Sequence, residues 1–514
     1  MSLSFNDAQL LLKEHHLLID SSKGVADEFT SVTYDSRKVT PESLFFCKGN
    51  FKAEYLASAV EKGATGYVSE KKYATSAQLA YLIVKDVQKA MALLGAAFYG
   101  YPQNDLFIIG ITGTKGKTTS AYLTKGILDQ ANHGKTALFS TVDRTVGPRP
   151  EDTFKSNLTT PESLDLFHDM RTAVDNEMTH LVMEVSSQAY KKNRVYGLHY
   201  NVGVFLNISP DHVGENEHPT FEDYLFCKEQ ILANSDYCIL NADTEHFTDI
   251  YYAAKSDIDA GHLITFTHLD KNELPDGKQI DIQIENVKET LMASTFKLHA
   301  LSKKAQDLKI ENQYTISIPG DYNEGNATSA IIAALLAKVQ SNDAVKGLKD
   351  VKIAGRMEMV ETKQHGLVYI DYAHNYASLH ALLEFLRSQQ KVNHLIVVVG
   401  STGNKGVSRR AGFGKAITEG ADYAILTSDD PGYEDPMQIA KEIDQHINHE
   451  KVKVQFELDR EKAIAQAITM AHPGDVVVLA GKGEDKYQKI NGVDTPYPND
   501  LNVAKKIVEG LEDE

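Results

Sequence analysis

The hydrophobic and polar positions of the chain follow two patterns that alternate along its length. Short apolar runs of strand length, for example 106–112, 202–206 and 395–399, are separated by longer segments of helical character. Strands that alternate with helices are typical of α/β domains built on mostly parallel sheets. The pattern therefore predicts the α/β class. A membrane-spanning helix needs about 20 apolar residues, and because no run approaches that length we expect no membrane span.

Breaks in the pattern divide the chain into three predicted domains: residues 1–103, 104–354 and 355–514. The first boundary follows Tyr99-Gly-Tyr-Pro102, since Gly and Pro interrupt regular elements. In the second domain, a polar and antiparallel stretch is expected near 256–320, followed by a helix from Gly325 to residue 340. The third domain is expected to contain strands at 368–370, 395–399, 423–426 and 476–479.

Composition and charge narrow the class of protein. The 514 residues include 53 Lys and Arg against 71 Asp and Glu, for a net charge of −18. A surface of that sign repels nucleic-acid phosphates, although one anionic ligand can still bind in a local basic pocket. The three cysteines lack paired CxxC spacing, and the N-terminus lacks the features of a secretory signal. These features predict a reduced, cytoplasmic protein without disulfides or structural zinc.

The most informative segment is Gly113-Thr-Lys-Gly116-Lys117-Thr118-Thr119, which follows a predicted strand and opens a predicted helix from Lys117 to about Gln130. This context is that of a phosphate-binding loop. Glycines let backbone N–H groups turn inward, the helix N-terminus attracts anions, and a lysine neutralises phosphate charge. The common pattern has Gly five residues before Gly116, where this chain has Ile111. The alternative interpretation is a glycine-rich turn with an exposed lysine.

Polar residues follow other strands of the same predicted domain. They are Glu184 at the end of 180–184, Asp211 and His212 after 202–206, and the segment Thr159-Thr160. Ligands of open α/β sheets bind at the carboxyl ends of the strands, so Glu184 is a candidate Mg²⁺ ligand. Asp211 and His212 are candidates to bind metal or orient a water molecule. For Glu184 alone, a solvated strand end is the alternative.

Together these segments resemble the Mur ligase family, the ATP-dependent amide-forming enzymes of peptidoglycan synthesis. Further segments extend the resemblance in the family's order: Asp35-Ser36-Arg37, Tyr224 with Lys228, Gly320-Asp-Tyr-Asn323-Glu-Gly-Asn326, Gly355-Arg356-Met-Glu358, Asp371-Tyr-Ala-His374-Asn375 and Gly481-Lys-Gly483. The resemblance implies that 1–103 binds a UDP-muramoyl substrate. It implies that 104–354 is an ATP-binding domain with a P-loop-type sheet, and that 355–514 is Rossmann-like and binds an amino acid and ATP. We also expect a monomer.

The resemblance implies addition of the third peptide residue to UDP-MurNAc-L-Ala-D-Glu. ATP would phosphorylate the D-glutamate γ-carboxylate, and the α-amine of the incoming amino acid would attack the acyl phosphate, leaving ADP and phosphate. Members that add meso-diaminopimelate have Asp-Asn-Pro-Arg where this chain has Asp429-Asp430-Pro431-Gly432. Gly432 lacks the guanidinium that pairs with the extra carboxylate. The acidic vicinity, which adds Glu434 and Asp435, suits the ammonium group of L-lysine, while ornithine and meso-diaminopimelate remain alternatives.

Site roles are also implied by the resemblance. The nucleotide residues are Gly113, Thr114, Lys115, Gly116, Lys117, Thr118, Thr119, Asn326, Arg356 and Asp371. The Mg²⁺ ligands are Thr118, Glu184, His212 and Lys228. The muramoyl-dipeptide residues are Ser36, Arg37, Thr159, Thr160, Ser186, Ser187 and Arg194. The residues for the incoming amino acid are Arg409, Asp429, Asp430, Pro431, Gly432, Gly483 and Asp485. The catalytic residues are Lys117, Lys228, His212 and Arg356.

Two of these assignments have specific alternatives. Lys228 is expected to be carbamylated to N6-carboxylysine, because an ammonium beside Mg²⁺ is repelled whereas a carbamate assists a metal. The alternative is an ordinary lysine paired with a carboxylate. For Asp35-Ser36-Arg37 the alternative is a capped turn with a surface ion pair.

Departures from the family pattern are Lys115 for Asn, Leu158 for Asn, Gln188 for His, Tyr322 for His and Asp485 for Glu. The last of these most affects the assignment of the third substrate. Rival functions are a different amide ligase of the superfamily, such as folylpolyglutamate synthetase, and a binding protein that uses ATP only as a switch.

Overall fold

A computed structural model describes residues 1–74, 78–210, 218–271, 273–349, 351, 353, 358–389, 392–404 and 406–512. The first hundred residues form a five-stranded sheet of order β2-β7-β6-β5-β4, flanked by helices, and a short two-stranded pair of β1 with β3. The elements are β1 Leu3–Ser4, α1 Phe5–Glu14, β2 Leu18–Ser22, β3 Glu28–Phe29, β4 Ser31–Thr33, β5 Ser43–Phe46, α2 Ala53–Glu61, β6 Ala64–Ser69, β7 Ala80–Val84 and α3 Val87–Phe98.

Strands β4 to β7 of this sheet are parallel, and β2 pairs antiparallel with β7. Helix caps fix the ends of the covering helices. The Asp86 carboxylate, for example, accepts from the N–H groups of Gln88 and Lys89 at 2.9 Å, which satisfies backbone donors that the first turn of α3 leaves free. The apolar face of α3 packs on the sheet through residues such as Met91 and Leu94.

The central region is an eleven-stranded sheet of order β11-β10-β9-β12-β8-β13-β14-β15-β16-β17-β18. Its elements are β8 Phe107–Thr112, α4 Lys117–Asn132, β9 Thr136–Phe139, β10 Asp143–Thr145, β11 Thr153–Lys155, α5 Ser163–Asp175, β12 His180–Glu184, α6 Ser187–Lys191, β13 Tyr200–Phe205, α7 Phe221–Ala233, β14 Ser235–Asn241, α8 Phe247–Asp257, β15 Leu263–Thr267, β16 Ile282–Glu289, β17 Ser294–Ala300, α9 Lys303–Asp307, β18 Asn312–Ile316, α10 Asp321–Leu336 and α11 Ser341–Lys349. Short 3-10 helices lie at Pro102–Asp105 and Pro150–Asp152.

Strand β8 lies between β12 and β13 in the centre of this sheet and is parallel to both. The chain leaves β8 toward β9 on one side and later returns to β13 on the other. Such a reversal of strand order opens a crevice beyond the carboxyl ends of the strands. The loop that follows β8 is therefore placed where a ligand can bind.

The last part of the chain forms a six-stranded sheet of order β19-β20-β24-β21-β22-β23, with β19 antiparallel and the others parallel. Its elements are β19 Glu358–Glu361, β20 Leu367–Asp371, α12 Tyr376–Ser388, β21 Leu395–Val399, α13 Ser408–Gly420, β22 Tyr423–Leu426, α14 Pro436–Asp444, β23 Lys453–Phe456, α15 Arg460–Met470, β24 Val476–Ala480, the hairpin strands β25 Tyr487–Ile490 and β26 Val493–Pro496, and α16 Asp500–Glu512.

The α/β class is confirmed, and so are the four strands expected in the last part of the chain. The stretch near 256–320 was expected to be antiparallel, but its strand β15 pairs parallel with both β14 and β16. The helix expected from Gly325 begins earlier, at Asp321, and a second helix follows it. Among the described residues, no helix has the length and apolar character needed to cross a membrane.

The chain forms two compact units. One comprises Met1–Val287, Thr295–Ile316 and Asp321–Val351, and the other comprises Lys288–Ser294, Ser317–Gly320 and Lys352–Glu514. The predicted third domain, 355–514, lies within the second unit. The predicted boundary near residue 103 falls inside the first unit, between its five-stranded and eleven-stranded sheets, and it stays a prediction.

Candidate active site

The loop between β8 and α4 is built for close approach of a ligand to the backbone. Gly116 caps α4 in the left-handed region, with φ of +85°, where a side chain is disfavoured. A Cβ there would also lie 2.3 Å from Oδ1 of Asn326. Lys117 folds back over the loop and donates to the carbonyls of Gly113 at 2.8 Å and Thr114 at 3.3 Å. The loop, the helix N-terminus and a lysine thus meet at one point.

The structure explains the departure at Ile111. That residue is a buried part of β8, and the loop begins only at Gly113. Gly110 also lies within β8, where a Cβ would be 2.6 Å from the ring of Tyr200. Gly110 therefore allows close packing of an aromatic ring and is not part of the loop.

Asn207, which follows β13, holds the loop from the side. Its carbonyl accepts from the N–H of Thr114 at 3.0 Å, and its side-chain amide exchanges two hydrogen bonds with the backbone of Lys115, at 2.9 and 3.0 Å. The Lys115 side chain itself is exposed. Asn207 thus holds the backbone of the loop, whose sequence departs from the common phosphate-loop pattern.

Glu184, at the end of β12, is 1% exposed and accepts three hydrogen bonds. The Thr118 hydroxyl donates to it at 2.8 Å, and Thr141 donates through its N–H at 2.8 Å and through its hydroxyl at 3.0 Å. All these donors are neutral, so they solvate the buried charge without cancelling it. The Thr118 hydroxyl and the buried Glu184 carboxylate are hard oxygen ligands of the kind that Mg²⁺ prefers.

Lys228, on α7, is 2% exposed, although by spacing alone it could be a surface lysine. Its Nζ donates to the Gly113 carbonyl at 2.7 Å and lies 4.9 Å from the centre of the Tyr224 ring. Lys117 bonds the same carbonyl. Two ammonium groups therefore lie close together on the phosphate loop.

Beyond Glu184, the turn into α6 is held by Thr160. The Thr160 hydroxyl donates to the carbonyl of Glu184 at 3.0 Å and accepts from the N–H of Ser186 at 3.0 Å. No strand leads directly into Thr159 and Thr160, because β11 ends at Lys155. The Thr159 hydroxyl nevertheless lies 3.1 Å from that of Thr141, so both threonines belong to this cluster.

The guanidinium of Arg194 is buried and bonds to other groups of the chain. It forms an ion pair with Glu162 at 3.0 Å and donates to the carbonyl of Thr160 at 3.3 Å. Ser187, the other serine of this turn, is 2.9 Å from Nε2 of His218, whose Nδ1 is 2.6 Å from Asp223. Lys191 and His218 lower the pKa of the Asp223 carboxyl.

In the five-stranded sheet, Asp35-Ser36-Arg37 follows β4. The Arg37 guanidinium forms a bidentate pair with Asp35 at 2.8 and 2.9 Å, which lowers the pKa of that carboxyl to about 2. The carbonyl of Ser36 accepts from Lys62 at 2.9 Å. The arrangement is the ion-paired turn that was the alternative interpretation, and nucleotide binding there stays a prediction.

In the second unit, three candidate segments lie at the carboxyl ends of parallel strands of one sheet: Asp371 ends β20, Asp429–Gly432 follows β22, and Gly481–Asp485 follows β24. Their carboxylates are not an open acidic pocket. Lys482 is 1% exposed and lies 2.6 Å from Asp430, 3.6 Å from Asp429 and 3.7 Å from Asp485. Burial raises the pKa of the Asp429 carboxyl. The three carboxylates thus surround one lysine of the chain itself.

Other groups near this cluster are also engaged. Arg410 is buried and pairs with Glu434 at 2.7 Å and Glu442 at 2.6 Å, whereas Arg409 is partly exposed. Asp435 caps α14 by accepting from the N–H of Met437. Of the three carboxylates around Lys482, those of Asp430 and Asp485 keep about 30% exposure and are more accessible to a ligand than the buried Asp429.

Comparison with known proteins places this site in a family. Residues 111–334 match the model of the Mur ligase middle domain, and residues 355–483 match that of the Mur ligase, glutamate ligase domain. The chain belongs to the Mur ligase family. It is 61% identical over 511 residues to the UDP-N-acetylmuramyl-tripeptide synthetase of Ligilactobacillus salivarius, covering 99% of this chain and 100% of that protein.

Two further Mur ligases extend the comparison. The UDP-N-acetylmuramoyl-L-alanyl-D-glutamate--L-lysine ligase of Enterococcus faecalis is 46% identical over 495 residues, covering 96% of this chain and 94% of that protein. A solved UDP-N-acetylmuramoyl-L-alanyl-D-glutamate--2,6-diaminopimelate ligase matches the whole of both chains with a TM-score of 0.68 and 25% identity.

Three residues predicted for this Mur ligase site, Asp211, His212 and Arg356, lie outside the described residues. The structure adds Thr141, which sequence reasoning missed. Thr141 follows β9, whose carboxyl end lies beside that of β12. The rule that selected Glu184, a polar residue after an apolar strand, selects Thr141 as well once 136–139 is recognised as a strand.

Proposed function

We propose that this Mur ligase is a UDP-N-acetylmuramyl-tripeptide synthetase. It joins the α-amine of L-lysine to the D-glutamate side chain of UDP-MurNAc-L-Ala-D-Glu in peptidoglycan precursor synthesis, converting ATP to ADP and phosphate. The observation that carries the proposal is the buried Thr118–Glu184 pair at 2.8 Å beside the loop at Gly116. Relatives with matching chain length and this activity in their names support the substrate.

The proposed mechanism begins at the loop. The N–H groups of the loop and of the first turn of α4 bind the ATP phosphates. Lys117 moves from the carbonyls it now contacts to the transferring phosphoryl group, whose charge it stabilises. Thr118 and Glu184 would hold Mg²⁺, which supplies charge neutralisation when bound. An acyl phosphate formed on D-glutamate then gives the amine a good leaving group to displace.

The carbamylation of Lys228 remains part of the proposal. Lys228 and Lys117 donate to one carbonyl, and like charges held this close repel each other. The neutral Lys228 amine forms a C–N bond with CO₂ and releases one proton to solvent, so the product is an anionic carbamate and the repulsion is removed. His212 and Arg356 keep their predicted roles in metal and phosphate binding.

Lysine is the proposed amino acid because of the local charge. Three carboxylates, those of Asp429, Asp430 and Asp485, lie around the single ammonium group of Lys482. The ammonium group of a bound lysine side chain would therefore still find more carboxylates than cations in this cluster. Gly432 offers no guanidinium for a second carboxylate. We propose that Asp430 and Asp485, the more exposed members, receive the incoming ammonium group.

The test is a competition experiment. The enzyme is incubated with ATP, Mg²⁺, UDP-MurNAc-L-Ala-D-Glu and equal amounts of L-lysine, L-ornithine and meso-diaminopimelate, and products are identified by intact mass. We expect the lysine tripeptide as main product, with one phosphate released per amide. Lys117→Ala is the negative control. A different tripeptide overturns the choice of lysine, and ATP binding without any amide overturns the ligase function.

A further inference from the structure

Lys48 lies at the edge of the five-stranded sheet where a ligand is expected. It follows β5, and Asp35-Ser36-Arg37 follows the adjacent parallel strand β4. The carboxyl ends of parallel strands meet at one edge of a sheet, which is the usual binding edge. Lys48 and the predicted uridine turn therefore share that edge.

The ammonium group of Lys48 is held in a defined place. It lies 2.5 Å from Oε2 of Glu162 and 4.4 Å from the centre of the Tyr34 ring, and its side chain is 16% exposed. A lysine that is mostly buried needs a partner, which Glu162 supplies. A second carboxylate, that of Asp165, lies close to this pair and accepts a hydrogen bond from the Tyr34 hydroxyl at 2.5 Å.

Glu162 is shared between two cations. Its other oxygen, Oε1, accepts from Arg194 at 3.0 Å. One carboxylate thus faces two positive side chains, and the side chains of all three are at most 16% exposed. An anionic oxygen that reaches Lys48 can therefore take the place of Glu162, which keeps Arg194 as its partner. On a chain with net charge −18, an anionic substrate needs such a local cationic site.

We propose that Lys48 binds an anionic oxygen of the diphosphate of the nucleotide substrate, with Glu162 as its counterion when substrate is absent. This inference rests on the proposed function, which supplies a UDP-linked substrate. In that substrate the diphosphate lies between uridine and the muramoyl dipeptide. Lys48 has the matching position, because it adjoins the strand that leads into the predicted uridine turn and contacts Glu162, two residues beyond Thr160.

The competing explanation is that the Lys48–Glu162 pair only joins the two sheets of the first unit. The two explanations differ in what each partner does. If Lys48 binds diphosphate, Lys48→Met weakens UDP binding at least tenfold, Lys48→Arg restores most of it, and Glu162→Gln leaves it unchanged or tighter. If the pair only joins the sheets, Lys48→Met and Glu162→Gln weaken UDP binding alike.

Binding of UDP, UMP and UDP-MurNAc-L-Ala-D-Glu is measured by calorimetry on the full chain, with thermal unfolding of each variant. Lys13→Met, an exposed lysine on α1, is the matched control and should bind as wild type does. The loss of affinity in Lys48→Met should be larger for UDP than for UMP, because only UDP carries a diphosphate. Equal effects of Lys48→Met and Glu162→Gln, or a loss seen only with the dipeptide substrate, overturn the inference. Failure of the wild type to bind UDP would instead contradict the proposed function.

Discussion

At the scale of single residues, the candidate site depends on charges that are buried and only partly balanced. Glu184 receives three neutral hydrogen-bond donors, and Lys117 and Lys228 share one carbonyl. Such arrangements cost stability in a protein without ligands, because buried charge is poorly solvated. They are typical of functional sites, where a ligand supplies the missing charge.

The residue-scale prediction concerns Glu184. Glu184→Gln keeps the shape of the side chain but removes its charge. The Mg²⁺ concentration that gives half of the maximal rate should therefore rise by about 100-fold, while the affinity for UDP measured without ATP stays the same. The measurement is the initial rate of phosphate release over a range of Mg²⁺ concentrations. The control is Glu222→Gln, an exposed change on the first turn of α7. Equal Mg²⁺ dependence in wild type and Glu184→Gln would contradict the metal site.

At the scale of elements, the strand–loop–helix unit at β8 and α4 was predicted from the sequence with nearly correct bounds. Local signals sufficed because Gly116, Lys117 and the apolar strand are contiguous. The bracing of this loop by Asn207 and the close approach of Asn326 were not predictable, since those contacts join residues that are far apart in the chain.

Substitutions of the two glycines that flank α4 test the assignment of this loop. Gly116 and Gly134 flank the helix and both have φ near +80°, so alanine at either position should cost about 1 kcal/mol in backbone strain. Only at Gly116 would the new Cβ contact Asn326, whereas the space at Gly134 is open. We expect Gly134→Ala to show only a small decrease in thermal stability, Gly116→Ala a larger one, and only Gly116→Ala to raise the KM for ATP strongly. An equal KM in both would contradict the assignment of the loop.

A second element-scale prediction concerns α15 and α16. Arg460 and Asp500 form a fully buried bidentate pair, and Tyr497 also donates to Asp500. Asp500→Asn leaves the guanidinium buried without its counter-charge, so we expect the free energy of unfolding to fall by about 3–5 kcal/mol. The exposed pair Lys489–Asp494 is the control, where Asp494→Asn should cost under about 1 kcal/mol. Denaturant titrations measure both, and similar losses would contradict the role of burial.

At the scale of the whole molecule, the chain divides into two compact units with separate hydrophobic cores. One cluster of buried residues, from Val368 to Val508, lies wholly within the second unit. The clusters that line the eleven-stranded and five-stranded sheets lie within the first. Units with their own cores can unfold separately.

The prediction at this scale is that calorimetric unfolding shows two transitions. Asp500→Asn, which changes only the second core, should lower the midpoint of one transition by several degrees and leave the other unchanged. UDP, which by our proposal binds the first unit, should raise the other midpoint. A single transition that shifts as a whole under both conditions would show that the two units unfold cooperatively.

The sequence by itself determined the α/β class, the strands that flank the site, and the loop at Gly116, because periodicity, glycine position and strand–helix order are local properties. The order of motifs also determined the family. Tertiary structure alone decided which charges meet. Lys482 turns the expected acidic pocket into a cluster of three carboxylates around one buried lysine, and Arg194 and Lys48 share Glu162. Such pairings join distant segments through strand order and packing, so no spacing in the sequence reveals them.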